Sequence, residues 1–286
     1  MKSIHLLDSD TINKIAAGEV VERPSSVIKE LVENAIDAKA SAITIEIKEG
    51  GIAMMRVTDN GGGIDRDDIK TAFVRHATSK IETAMDLMTV GSLGFRGEAL
   101  SSIASVSQIE LITKVHRELL GVRYCIDGGE EKSSDDIGCP DGTTIIVRNL
   151  FYNTPARRKF LKTAATEAAY INDLAGRLAL SHPDVSFKFI NNNQNRLHTS
   201  GNGNLRDIIY QIYGRDVTGQ LLEVDVQGKL CHVTGFIGKP ILSRGNRSWE
   251  NYFINGRYIK SNIITKAIED AYKTFVMIHK YPFTAF

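Results

Sequence analysis

The chain has 286 residues, 42% of them hydrophobic and 24% charged, with 35 Lys+Arg against 34 Asp+Glu for a net charge of +1. That length allows one large domain or two ordinary ones, and that balance excludes a strongly basic, dedicated nucleic-acid binder. Cys125, Cys139 and Cys231 form no C-x-x-C pair, the start has no secretory signal, and no run approaches a membrane span of ~18 apolar residues, so a reduced, cytoplasmic setting is expected.

Residues 10–21 place Ile12, Ile15, Ala16 and Val20 at helical spacing, but Gly18 argues against a long stable helix. The clearest helix is predicted at 25–39, after Pro24, with Ser25 and Ser26 as candidate caps. Its Ile28, Leu31, Val32, Ala35 and Ile36 recur on one face. Strands are predicted at 42–48 and 52–58, followed by the sharp turn Asp59-Asn60-Gly61-Gly62-Gly63-Ile64. Residues 66–100 are mixed, with a loop rich in Gly, Ser and Thr. Further strands are expected at 108–114, 121–127 and 143–148, a helix at 163–181, and a hairpin at 185–200 turning through Asn191-Asn192-Asn193-Gln194-Asn195. Gly201-Asn202-Gly203-Asn204 is the best linker candidate. A second α/β unit then reads as a helix at 205–213, strands at 221–237 and 249–255, and a helix at 261–275. The run to Phe286 looks like a strand without a polar tail and reads as a break within a longer chain.

Three stretches carry chemistry-bearing residues. Glu30, Asn34 and Asp37 share the helix face opposite the apolar stripe. Spacing alone reads this as a solvated face, although a carboxylate can activate water and an amide oxygen suits Mg²⁺. The Asp59–Ile64 stretch is either a plain turn or a close backbone approach to a ligand, with Asp59 accepting from an exocyclic amine. Thr78-Ser79-Lys80 and the later run Gly94-Phe95-Arg96-Gly97-Glu98-Ala99-Leu100 form either a mobile loop or a phosphate cradle leading into a helix. The chain holds neither a P-loop nor a dinucleotide fingerprint, and its seven histidines show no metal-ligand spacing.

The ordered set ELVENAIDA, DNGGGI, ATSK with GFRGEAL, and Gly142-Thr143-Thr144 resembles the four motifs of the GHKL ATPases. That superfamily includes DNA gyrase, heat-shock chaperones, histidine kinases and MutL. IAAGEVVERP at 15–24 and FYNTPARRKF at 151–160 narrow the resemblance to the MutL-type DNA mismatch repair proteins, with Phe253-Ile254-Asn255-Gly256-Arg257 as a thinner landmark later on.

The resemblance implies an α/β (α+β) sandwich of the Bergerat type over 1–203, with a mixed sheet and helices on one face. A truncated second α/β domain, like the ribosomal-protein-like domain of this family, would follow at 204–286. It implies Glu30 as general base, Asn34 as Mg²⁺ ligand, and Asp59 on the adenine amine with Gly63 and Thr143 in support. Thr78, Ser79 and Lys80 would begin a lid over ATP, and Gly94, Phe95, Arg96, Gly97, Glu98, Ala99 and Leu100 would wrap its phosphates. ATP binding would order the lid and the segment from Ile12 to Val20, and two copies would then associate. Arg157, Arg158, Lys159, Lys162 and Arg257 would contact DNA without regard to sequence, with Arg244, Arg247 and Lys260 adding positive charge. A mismatch-recognition protein of the MutS type is the implied partner, with a nucleoid-associated place in the cytoplasm and no membrane.

The chain stops before a lysine-bearing motif and a C-terminal domain that the family carries. Slower turnover and no endonuclease activity are therefore expected. The rivals are a non-hydrolysing nucleotide-dependent interaction module and another GHKL ATPase such as a type II topoisomerase subunit.

Overall fold

The computed structural model describes residues 8–81, 83, 85–86, 91–94, 97–229 and 231–286. They group into two compact units: the described residues up to 174 with 187–196, and 175–186 with 197–286.

The first unit opens with helix α1 (Ser9–Val20), capped by Asp8, whose carboxylate accepts from the Thr11 amide at 2.8 Å and the Thr11 hydroxyl at 2.9 Å. Contrary to expectation, the helix continues through Gly18. The reason lies in the short helix α5 (Pro155–Arg158): the Arg157 guanidinium packs against the Gly18 backbone and donates to the Ile15 carbonyl at 3.0 Å. A Cβ at Gly18 would land on that guanidinium. The usual glycine penalty of ~1 kcal/mol in a helix is offset by a charge-assisted bond that only glycine admits.

Helix α2 (Pro24–Asp37) buries Val27, Ile28, Leu31, Val32 and Ala35 on strands β1 (Ala42–Lys48) and β2 (Met54–Asp59). Each of the Val, Ile and Leu side chains is worth about 1.5–3 kcal/mol of apolar burial, and the Ala35 methyl less. Ser25 and Ser26 are not caps. They lie inside the helix, because Pro24 takes its first position, where a missing N–H costs nothing, and Arg23 caps it without a side-chain bond.

Strands β3 (Gln108–Lys114), β4 (Gly121–Asp127), β5 (Glu130–Ile137), β6 (Gly142–Arg148), β7 (Ser186–Asn191) and β8 (Gln194–His198) complete an eight-stranded sheet in the order β5-β4-β3-β6-β2-β1-β7-β8. Register aligns Ile45, Val57, Ile145, Leu111 and Tyr124 in one apolar row under the helices. The neighbouring row, on the other face, runs Glu46, Arg56, Ile146, Glu110, and is polar: Arg56 pairs with Glu46, and Arg123 with Glu110. Helices therefore cover one face, with α2 and α4 (Ala99–Ser105) on the strands and α1 on α4.

Strand β5 went unread in the sequence because EEKSSDDI is an exposed edge with no apolar alternation to detect. Between β7 and β8 only Asn192 and Asn193 turn, both at positive φ (48° and 64°), the geometry of a two-residue hairpin loop. Helix α6 (Ala164–Ser181) precedes that hairpin.

In the second unit, α7 (Leu205–Tyr213) is capped by Asn204, whose side chain accepts from the Arg206 and Asp207 amides. Gly201-Asn202-Gly203-Asn204 is thus a turn and a cap, lying within this unit. After the one-turn helix α8 (Arg215–Thr218), strands β9 (Leu221–Gln227), β10 (His232–Gly238), β11 (Glu250–Ile254), β12 (Arg257–Ile259) and β13 (Thr284–Ala285) form a mixed sheet ordered β12-β11-β13-β10-β9, with β11 and β13 parallel. Helix α9 (Asn262–Tyr272) bonds to it through Tyr272, whose hydroxyl donates to the Gly238 carbonyl at 2.6 Å. Phe283 is fully buried, edge-on to Tyr213 at 5.1 Å and to Trp249 at 6.0 Å.

Candidate functional site

The polar face of α2 is not the solvated face that spacing alone describes. Lys80 Nζ donates to Asn34 Oδ1 at 2.9 Å and to Asp37 Oδ2 at 2.6 Å. The Leu93 and Gly94 amides donate to the two Asp37 oxygens at 2.8 and 3.1 Å, and the Asp37 side chain is left only 11% exposed. Glu30, one turn towards the helix start from Asn34, is 26% exposed and among the described residues pairs with Lys29, at 3.2 Å; Lys29 also bonds Glu33 at 2.9 Å. Asp37 belongs to this site. The sequence reading placed it on the right face but gave it no role, because its partners lie more than 40 residues away in a loop without periodicity.

The Asp59 turn is tied to the end of the same helix. The Gly62 amide donates to the Ala38 carbonyl at 3.0 Å, and Asn60 Oδ1 accepts from the Ser41 and Ala42 amides at 2.9 Å each. Asp59 stands opposite Thr143 in the β2–β6 ladder, and its carboxylate accepts from the Gly61 amide at 2.8 Å. Burial pushes this carboxyl above the usual carboxylate range, against backbone hydrogen bonds from Gly61 and Thr143 that favour the ion. A half-buried carboxylate with an unfavourable charge is improved by a ligand donor aimed at it.

Gly63, at φ 74°, passes so close to the Lys114 carbonyl that any Cβ would collide with it. The residue that ties this turn to β6 is Thr113, 1% exposed and without a signal of its own in the sequence. Its hydroxyl accepts from the Ile64 amide at 2.9 Å, donates to the Gly142 carbonyl at 3.1 Å and lies 3.1 Å from the Thr143 hydroxyl. As one alternating residue of an ordinary strand it carried no signal; only register puts it beside both Gly63 and Thr143.

The two halves of the loop meet through backbone. The Gly97 carbonyl accepts from the His76 amide at 2.9 Å, next to Thr78, Ser79 and Lys80. The Thr78 hydroxyl accepts from the Lys80 amide at 3.2 Å. Glu98 accepts from Arg75 at 3.3 Å, lies 3.2 Å from His76, and precedes Ala99 and Leu100, the first turn of α4. Phe95 and Arg96 lie outside the described residues.

The basic residues separate. Arg157 is committed to α1, whereas Arg158, Lys159 and Lys162 are exposed beside Phe160, itself 81% exposed. Arg257 is exposed on β12 in the second unit. Among the described residues no three His, Cys, Asp or Glu side chains gather as a metal cage, and no helix is long and apolar enough to cross a membrane.

Comparison with known proteins agrees with this geometry. Residues 22–137 match the profile described as histidine kinase-, DNA gyrase B-, and HSP90-like ATPase, and residues 209–286 match DNA mismatch repair protein, C-terminal domain. The chain is 66% identical over 284 residues to DNA mismatch repair protein MutL of Agathobacter rectalis, covering 99% of this chain and 44% of that protein. It is 48% identical over 283 residues to the MutL of Clostridium botulinum, covering 99% of this chain and 42% of that one. The chain thus spans less than half the length of these relatives. Among solved structures it is similar to the N-terminal domain of a DNA repair protein, with TM-score 0.80, 26% identity, and 96% and 85% of the two chains covered. It is also similar to the Aquifex aeolicus MutL ATPase domain complexed with ADP, with TM-score 0.70, 28% identity, and 93% and 94% covered.

Proposed function

The chain belongs to the MutL family of DNA mismatch repair proteins, and on that premise we propose that it binds ATP with Mg²⁺ on the polar face of α2, hydrolyses it slowly, and uses the bound state to bring two copies together around DNA. The observation that carries the proposal is convergence. Asn34 and Asp37, the Lys80 and 93–94 segment, and the Asn60–Gly62 turn all meet at the C-terminal end of α2.

In this reading Asp59 accepts from the adenine amine, relieving its buried charge, while Gly63 lets the turn close onto the Lys114 backbone and Thr143 and Thr113 support that side of the site. The run from Gly94 to Leu100, with Phe95 and Arg96, and the Thr78-Ser79-Lys80 segment close over the phosphates. Lys80 leaves Asp37 for the anion. Glu30 orients and deprotonates the attacking water, a role that needs a carboxylate in contact with solvent.

Mg²⁺ fits this donor set. Asn34 Oδ1 is a hard oxygen that already holds an ammonium, and Mg²⁺ with nucleotides needs one or two protein oxygens rather than a cage. When bound it would neutralise charge on the phosphate oxygens. Functionally the chain divides into a nucleotide half, 1–203, and a transducing half, 204–286. Arg158, Lys159, Lys162 and Arg257 supply backbone contacts to DNA, Arg157 fixes α1 beside them, and a MutS-type protein is the partner in the cytoplasm, at the nucleoid.

The test is Glu30→Ala. It is expected to retain nucleotide binding by fluorescence titration and to lose turnover by about a hundredfold or more, within the range of general-base catalysis. Turnover at the parental rate would remove Glu30 from the mechanism and favour a binding module.

A further inference from the structure

The second unit contains a concave cluster to which the nucleotide site gives no role. A cavity of about 500 Å³ is lined by Ser243, Arg244, Gly245, Trp249 and Lys280, with Asp216 also on its wall. Its rim is held by a backbone exchange, in which Arg244 and Tyr281 each donate to the other's carbonyl at 2.8 Å.

The Arg244 guanidinium lies 3.9 Å over the centroid of the Trp249 ring. That ring is fixed in turn by Tyr213 at 5.4 Å and Phe283 at 6.0 Å, so the guanidinium rests on a rigid floor. Three residues along, Arg247 stacks on Tyr281 at 4.3 Å, but its charge is taken by Glu269 and, at 3.8 Å, by Glu250. Arg244 and Lys280 differ from it: both are exposed, and no carboxylate among the described residues pairs with either. Asp216 lines the cavity without forming an ion pair to them. A cation laid flat on an aromatic ring, unneutralised, beside a second free cation, is arranged for an anion from outside.

We propose that this pocket binds a nucleic-acid strand, with Arg244 giving its N–H fork to a phosphate and its outer face to an unstacked base, and Lys280 contacting a neighbouring phosphate. An acidic peptide would use the fork but leave the outer face of the guanidinium without a partner, whereas a base with its phosphate uses both. The proposal rests on the DNA-repair reading of the family.

Trp249 is the chain's single tryptophan, so its emission reports on this pocket alone. The whole chain would be titrated with a single-stranded oligonucleotide, with the same sequence as duplex, and with inorganic polyphosphate. Trp249 emission and the anisotropy of labelled DNA would be followed at several salt concentrations. Single-stranded DNA is expected to give a saturable emission change, and polyphosphate little or none. Arg244→Ala should weaken binding about tenfold and lower the salt slope by roughly 0.7, the value of one single-strand phosphate contact. Arg244→Lys should keep the slope and lose most of the affinity gained from stacking. Lys280→Ala, which leaves the stack intact, should lower the slope and keep the emission change. Unchanged melting temperatures for the two lysine-related variants would show that the unit remains folded.

An equal emission response to polyphosphate would make this a general anion site and overturn the base contact. DNA binding by the parent chain with unchanged Trp249 emission, or with parental affinity and slope in Arg244→Ala, would overturn the site while leaving the DNA reading intact. No DNA binding by the parent chain would overturn both.

Discussion

At the scale of single residues, Asp59 gives the sharpest prediction. Burial raises its carboxyl above the ordinary carboxylate range, so folding disfavours the ion relative to the unfolded chain. A carboxyl raised in this way adds stability below its unfolded value, and loses that contribution as pH rises through the folded value. At neutral pH the ion is a cost that the proposed adenine contact would offset. Asp59→Asn is therefore expected to melt at or above the parental temperature without nucleotide and to bind ATP ~10- to 100-fold more weakly, the loss of one hydrogen bond to a charged acceptor. A variant that melts lower and binds ATP normally would show that the charge serves the fold. Glu250 offers the same argument where no ligand is proposed. Its side chain is 3% exposed, and burial outweighs the hydrogen bond from Tyr252 and the nearby Arg247 in raising its carboxyl. The neighbouring Tyr252 phenol, also buried, is pushed up to about 12, and Glu269 stays paired to Arg247. The melting temperature of Glu250→Gln should match the parent below the ordinary carboxylate range and exceed it as pH rises above that range. A deficit that grows with pH would mean that the Arg247 contact outweighs burial.

At the scale of elements, α1 and α5 stand or fall together. Gly18→Ala alone should destabilise the chain despite alanine's better helix propensity, because the methyl displaces Arg157. In an Arg157→Ala background the same change should become neutral or stabilising by up to ~1 kcal/mol. Denaturant melts of the four chains measure that sign reversal, and additive effects would break the link. Gly18 also marks where the sequence stopped being readable. Periodicity found α2, β1, β2, β3, β4 and α6, whose apolar faces meet a common core. It missed β5, an edge with nothing to bury, and misjudged α1, whose tolerance of glycine depends on an arginine about 140 residues away. The site divided in the same way. Glu30, Asn34, Asp59 and the two glycine-rich runs were legible as residue types in a particular order. The places of Asp37 and Thr113 in the candidate site were not, since they depend on a lysine, two loop amides and a strand register that exist only after folding.

At the scale of the whole molecule, size-exclusion chromatography with light scattering should show a monomer without nucleotide. A shift towards a dimer is expected with Mg²⁺ and a non-hydrolysable ATP analogue. A monomer under both conditions, with nucleotide bound, would separate binding from association in this chain. The eight-stranded sheet limits how such a pair can form. Strand β5, at one end of the sheet, carries Glu130, Glu131, Asp135 and Asp136, of which Glu130 pairs with Lys132, Glu131 with Lys70 and Asp136 with Arg66. Two copies meeting β5 to β5 would bring these carboxylates together and compete with the ion pairs they already make, and like charges directly opposed across strands are unfavourable. The β5 edge thereby disfavours β5-to-β5 addition of one copy to another, and the nucleotide-driven pair proposed above would form through a different surface.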